Sequence, residues 1–227
     1  MPNARVRISA LDQQVPLPTA PEVRRRPRQS RAQHSEKALR DAFVRVLLER
    51  GYAKTTIREV ASVAGVGVGT FYEYFGNMRS LAAKWISDTV KDAERALRQS
   101  FEERRGRPLS EIVDAVLDVQ VRSIAADTQT WALLFMLERQ VSAPSAFRRH
   151  YDTWVQMWQD ALACACDPPA PQRLALVARM VHAVSYGWLS QCMLTTDPPF
   201  SEAALRRELG LAVHGYLASV RTGSAAP

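Results

Sequence analysis

The chain lacks the apolar run of roughly 18 residues that a membrane-spanning helix needs, and its opening Met1–Arg7 stretch lacks the apolar centre of a secretory leader. Both absences point to a cytoplasmic protein. Cysteine is scarce: Cys164, Cys166 and Cys192 are an odd number in a 227-residue chain long enough to build a core without staples, so reduced thiols are expected. Cys164 and Cys166 stand two apart, which on a helix turns them about 200° from one another, so they cannot clamp one ion. No metal and no cofactor is expected. The period-two alternation of a half-buried strand is not sustained anywhere, which excludes a β architecture. Enzyme signatures are missing as well: there is no Ser–His–Asp elbow, no metal-ligand spacing and no phosphate-cradling loop. Gly65-Val66-Gly67-Val68-Gly69 looks like such a loop, but it follows a helical pattern rather than a strand.

What is present begins with charge. Thirty Lys and Arg against 23 Asp and Glu leave +7, and residues 1–85 hold 15 basic and 7 acidic side chains while residues 86–227 hold 15 and 16. A basic N-terminal third faces a polyanion, by default nucleic acid or an acidic membrane surface. Composition that is 47% hydrophobic supports a packed core and excludes a wholly disordered chain.

Prolines outline the elements. Five fall within residues 1–30, beside Arg24, Arg25, Arg26, Arg28 and Arg31, and none falls between Arg28 and Arg107. Residues 1–32 read as a disordered basic arm suited to a DNA groove. Beyond it apolar residues recur at helical spacing, and the protein reads as all-α with about nine helices: 35–50, 56–64, 68–75, 78–105, 109–126, 128–141, 145–166, 171–195 and 202–221. The last two carry apolar residues off their main stripes, such as Leu176, Met180, Leu189 and Leu211, so either the domain is compact or a second subunit covers the excess.

The segment Thr56-Ile57-Arg58-Glu59 fits a capping box and fixes a helix start. Gly65 then supplies a left-handed turn, and Val60, Ala64, Val66, Phe71 and Phe75 can fill the inside. The spacing from Thr56 to Phe75 is that of a helix-turn-helix. Its second helix leaves Val68, Gly69, Thr70, Tyr72 and Glu73 on the outer face.

Residues Ala42-Phe43, Gly51-Tyr52, Thr55-Thr56-Ile57-Arg58, Val60-Ala61, Ala64-Gly65-Val66 and Gly69-Thr70-Phe71-Tyr72-Glu73-Tyr74-Phe75 together resemble the TetR family of bacterial transcriptional regulators. The resemblance implies a three-helix DNA-binding domain, here residues 33–78, and a larger helical domain for effector binding and dimerisation, here 79–227. It implies a homodimer, formed through the two C-terminal helices at about 171–195 and 202–221. Its paired recognition helices would enter successive major grooves of a near-palindromic double-stranded operator about 34 to 36 Å apart. Carried over by position, Thr56, Arg58, Val68, Gly69, Thr70, Tyr72 and Tyr74 approach DNA, with Arg58 donating to a base or phosphate. Two residues depart from the family pattern: Gly67 stands where a capping Ser is usual, and Met78 where a Lys is usual. Asn77 can cap the helix that follows.

The resemblance also implies a repressor released by a small-molecule effector when helix 78–105 shifts. Two other readings stay open. One is a ligand-independent architectural or division-control DNA-binding protein of the same fold, and the other a helical enzyme whose N-terminal unit only docks. For the effector, Phe135, Trp154, Trp158 and Tyr186 are candidate walls and Gln120 a candidate polar anchor, which favours an apolar or aromatic molecule of low charge. His182 and His214 read as hydrogen-bonded structural histidines.

Overall fold

A computed structural model describes residues 27–196 and 200–222. Among them lie nine α-helices and one 3-10 turn, with no strand. The order is α1 (Pro27–Arg50), the turn Tyr52–Lys54, α2 (Ile57–Val63), α3 (Val68–Tyr74), α4 (Met78–Glu102), α5 (Leu109–Ala126), α6 (Thr128–Val141), α7 (Pro144–Ala163), α8 (Pro171–Thr195) and α9 (Glu202–Thr222).

Most boundaries fall within a few residues of those expected, and the largest departure is at the start. Helix α1 begins at Pro27 rather than near Ser35, so residues 27–32 are helical and not part of an irregular arm. A proline in the first turn gives up no intrahelical bond, and nothing in the next 23 residues stops the helix. Arg28 and Arg31 therefore stand on its first two turns, whereas Arg24, Arg25 and Arg26 lie outside the described residues. Helix α7 stops at Ala163, so Cys164 caps it and Cys166 lies beyond the helix on which both were expected. Among the described residues no group of His, Cys, Asp and Glu could hold a metal ion.

Helices α1, α2 and α3 form the first bundle, against which the start of α4 packs. Phe43 and Phe71 are fully buried at its centre, each contributing roughly 2 to 3 kcal/mol of apolar burial. The Trp85 indole of α4 meets the Phe43 ring edge-on at 6.0 Å. Arg40 of α1 also pairs with Asp88 of α4, so the two helices are joined by charge as well as by apolar contact.

In the remainder, α4 lies across α5, α6 and α7, while α8 packs on α6, α7 and α9. The turn after α4 needs Gly106 at φ +80, where its amide donates to the Cys164 carbonyl at 2.8 Å. Asp167 accepts from the Leu109 amide at 2.6 Å and so caps α5 from the far side of that junction. Helix α9 is held to α5 by Arg206, which donates to Asp114 at 2.5 Å, and by His214 Nε2, 2.8 Å from the same carboxylate. Burial raises the Asp114 pKa, and the bonds from His214 and Arg206 more than offset it, leaving the carboxyl below its ordinary value. The core is continuous from Leu39 of α1 to Val220 of α9. Leu189 of α8 is fully buried in it.

Candidate nucleic-acid surface and internal cavity

The helix-turn-helix is built by its caps. The Thr56 hydroxyl accepts from the Glu59 amide at 3.3 Å, which starts α2. The expected return bond from the Glu59 carboxylate gives way to an ion pair with Arg50 Nε at 2.5 Å, tying the end of α1 to the first turn of α2. At the other end the Val66 amide donates to the Ala61 carbonyl at 3.0 Å and the Gly65 amide to Ser62 at 3.1 Å. This double closure requires the left-handed residue between helices, and Gly65 has φ +70. Gly67 precedes α3 without a side-chain cap. Asn77 and Ser80 cap α4 reciprocally: the Asn77 side chain accepts from the Ser80 amide at 2.9 Å, and the Ser80 hydroxyl accepts from the Asn77 amide at 3.2 Å.

With Phe71 and Phe75 turned inward, the outer face of α3 presents Val68 at 40% and Tyr72 at 57% exposure, with Gly69 also open to solvent. Thr70 is half-buried beside them. Thr56 and Arg58 are exposed at the start of α2, and no acidic partner holds Arg58 among the ion pairs of the described residues. Tyr74 is half-buried and packs against the core, so its ring is less free than that of Tyr72. All seven positions thus stand wholly or partly on open surface, with Thr56 held by its cap and Tyr74 by core packing.

A second feature lies between α4, α5, α6, α7 and α8. An inner cavity of about 50 Å³ is walled by Trp131, Phe135, Trp154 and Tyr186, with aliphatic residues of α4 and α5 behind them. Its polar groups include Gln120, whose Oε1 is buried without a hydrogen-bond partner. An outer cleft of about 280 Å³ adjoins it and shares Glu138, Trp154, His182 and Tyr186. Phe135, Trp154, Tyr186 and Gln120 therefore come together as expected. Trp158 does not: it is fully buried and lines neither space, because one helical turn beyond Trp154, about 5.4 Å, carries it into the closed core.

Two wall residues were missed from sequence. Glu138, only 4% exposed, is bonded by His150 Nδ1 at 3.1 Å and accepts from the Tyr186 hydroxyl at 3.4 Å. Its signal was helical spacing, since Trp131, Phe135 and Glu138 follow one another at four and three residues on one face of α6. His182 lies between Tyr151, Trp154 and Tyr186, nearly parallel to the Trp154 indole at 6.4 Å. Burial pushes its pKa down to about 4, so the imidazole is neutral at ordinary pH. Burial, with the nearby Glu138 charge, also raises that of Tyr186, which stays a phenol and keeps its proton.

Residues 39–84 match the family model of bacterial regulatory proteins of the tetR family, and residues 108–217 match that of the tetracyclin repressor-like C-terminal domain. Comparison with curated proteins gave no match. Among solved structures, the chain is similar to the regulator FadR of Bacillus subtilis in complex with stearoyl-CoA, at 17% identity and a TM-score of 0.62 over 78% of this chain and 96% of that one. It is similar also to Thermus thermophilus FadR in complex with lauroyl-CoA, at 17% identity and a TM-score of 0.56 over 85% and 96%. A transcriptional regulator from Rhodococcus sp. gives 20% identity and a TM-score of 0.65 over 82% and 97%. At such identities these likenesses establish the fold. Together with the two family matches, they make the chain a member of the TetR family of DNA-binding transcriptional regulators, with an N-terminal DNA-binding domain followed by a C-terminal helical domain.

Proposed function

We propose that this protein is a ligand-responsive repressor that binds a near-palindromic operator as a homodimer and leaves it when a small molecule occupies the cavity. The observation that carries the reading is that α4 takes part in both sites. Its first turns pack against α1, which carries the helix-turn-helix, through the contact of Trp85 with Phe43, and further along Val90, Ala93 and Leu97 line the cavity. A ligand that displaces α4 at the cavity alters the setting of α3, and it does so only by its preference for one of the two arrangements. The neighbouring FadR structures hold acyl-CoA, which supports a ligand in the C-terminal domain without naming this one.

In this reading residues 33–78 bind DNA and 79–227 hold the effector and the partner. Arg58 donates to a base or phosphate, Thr70 and Tyr72 give hydroxyls to phosphates, and Val68 with Gly69 lies against base edges. Thr56 positions the start of α2, and Tyr74 contacts the backbone at the end of α3. Arg24, Arg25, Arg26, Arg28 and Arg31 add charge along the adjoining duplex. The dimer forms through α8 and α9, whose exposed Leu176, Met180 and Leu211 are large apolar side chains that the single chain leaves uncovered.

Selection of bound sequences from a random duplex library tests the DNA reading, and a consensus with two related half-sites is expected. Enrichment of no sequence would exclude a specific operator. Sedimentation of the same protein should give a dimer, and a monomer on DNA would exclude the paired-groove arrangement.

A further inference from the structure

We propose that the effector is an organic monocation, an amine or ammonium on an aromatic or aliphatic body, with its charged group held beside the Glu138 carboxylate. This deepens, and rests on, the reading of the cavity as the effector site. The inner cavity and the outer cleft share Glu138, Trp154, His182 and Tyr186, so these four stand where the two spaces meet and mark the passage that a ligand occupying both would take. A ligand that joins the spaces places one of its groups there.

The chemistry of that passage is one-sided. Among the residues lining either space, Glu138 is the sole Asp or Glu and there is no Lys or Arg. Outside the lining, Arg139 lies over the Tyr186 ring at 5.9 Å and is hydrogen-bonded to its side chain, and Arg179 lies over Tyr151 at 5.7 Å, so the cation on the Tyr186 side is held by the phenol and lines neither space. His182 is neutral, so it does not offset the carboxylate. His150, from outside the inner lining, reaches Glu138 Oε1, while Oε2 keeps the longer contact to the Tyr186 hydroxyl. Gln120 Oε1 adds a second buried acceptor deeper in the cavity, one with no donor facing it.

The carboxylate, the amide oxygen and the electron-rich rings of Trp131, Trp154 and Tyr186 bring negative charge or partial charge to this lining. A cation gains from each of them, by direct attraction and by its interaction with the aromatic faces. An anion meets the same groups as repulsion and must lose its water as well. A neutral body gains only the apolar contact.

Three probes with the same phenylbutyl body and different charge separate these cases: 4-phenylbutylamine, 4-phenylbutanol and 4-phenylbutyrate. Each is titrated into the full-length protein while the emission of Trp131 and Trp154 is followed, with lauroyl-CoA as a fourth ligand. The amine is expected to bind at least tenfold more tightly than the alcohol, and the butyrate more weakly than either. Glu138→Gln should bring the amine down to the level of the alcohol and leave the alcohol unchanged, which also shows that the variant keeps its cavity. Equal binding of amine and alcohol by the wild-type protein, or tightest binding of the butyrate, overturns the proposal even if the variant does not fold. An amine preference that survives Glu138→Gln overturns it as well. Binding of lauroyl-CoA or the alcohol without the amine refutes the cation and upholds the cavity as a ligand site, whereas silence from all four refutes both.

Discussion

Arg79 of α4 donates through Nε to the backbone carbonyl of Val141 at 2.8 Å, joining the first turn of one helix to the last residue of another 62 positions away. The acceptor is one of the carbonyls that a helix end leaves without an intrahelical partner. Helix α6 carries Trp131, Phe135 and Glu138 of the cavity wall, and Arg79 follows α3 by only a few residues. In the proposed reading, movement of α6 would reach the first bundle through this bond as well as through packing along α4 and between α6 and α1.

Replacing Arg79 by Ala should leave operator affinity without effector within about threefold and reduce the weakening that effector causes. Anisotropy titrations of labelled operator, with and without ligand, measure both quantities. A full effector response in the variant would assign the coupling to packing, along α4 and between α6 and α1.

Arg58 stands exposed on the first turn of α2. Its replacement by Ala should weaken operator binding by about 1 to 3 kcal/mol, or roughly fivefold to 150-fold. A loss shared equally by all duplexes, with a shallower salt dependence, identifies a phosphate contact; a loss confined to one base position identifies a base contact. Unchanged affinity for every sequence rejects both roles.

Two glycines close together should respond in opposite directions. Gly65 has φ +70, a conformation that a β-branched side chain resists, so Gly65→Val should destabilise the fold by about 1 to 2 kcal/mol. Gly67 has φ −71, and a Cβ there meets nothing within 4 Å, while α3 starts without a side-chain cap. Gly67→Ser should stabilise it by roughly a few tenths of a kcal/mol. Urea unfolding of both variants measures the pair, and a stabilising Gly65→Val would contradict the turn geometry.

The buried His182 makes stability depend on pH in a calculable direction. Its folded pKa of about 4 lies below the ordinary 6.5, so in that window the unfolded chain binds more protons than the native one. Stability held above pH 6.5 is lost as pH falls toward 4, by about 2 kcal/mol between pH 7.5 and 5. His182→Gln should remove that part of the slope. Identical urea midpoints against pH for the two proteins would place the protonation elsewhere.

The helices were legible because their signals are local: an apolar stripe, a proline, a capping Asn77, a glycine at the left-handed turn. So was the outer face of α3, which follows once Phe71 and Phe75 are assigned inside. The cavity was legible in part. Aromatic residues signal that something apolar gathers, but Trp154 and Trp158 share one face of α7, and only the packing of α7 on α8 and α4 decides which one meets open space. Glu138 was hidden for a different reason. A charged residue near the end of a helix and followed by Arg139 has the look of a solvated pair, and its burial depends on His150 and Tyr186, which come to it from two other helices.

The contact of Phe43 with Trp85 bears on how such regulators can be recombined. A chimera joined at Met78, where sequence alone puts the division, would take the first bundle away from the indole that completes it. Joined instead beyond Val90, the donor would bring the indole and the Arg40–Asp88 pair with it, and the recipient would meet it along the middle of an unbroken helix. The transferable unit for new operator specificity is thus three helices and the first half of the fourth.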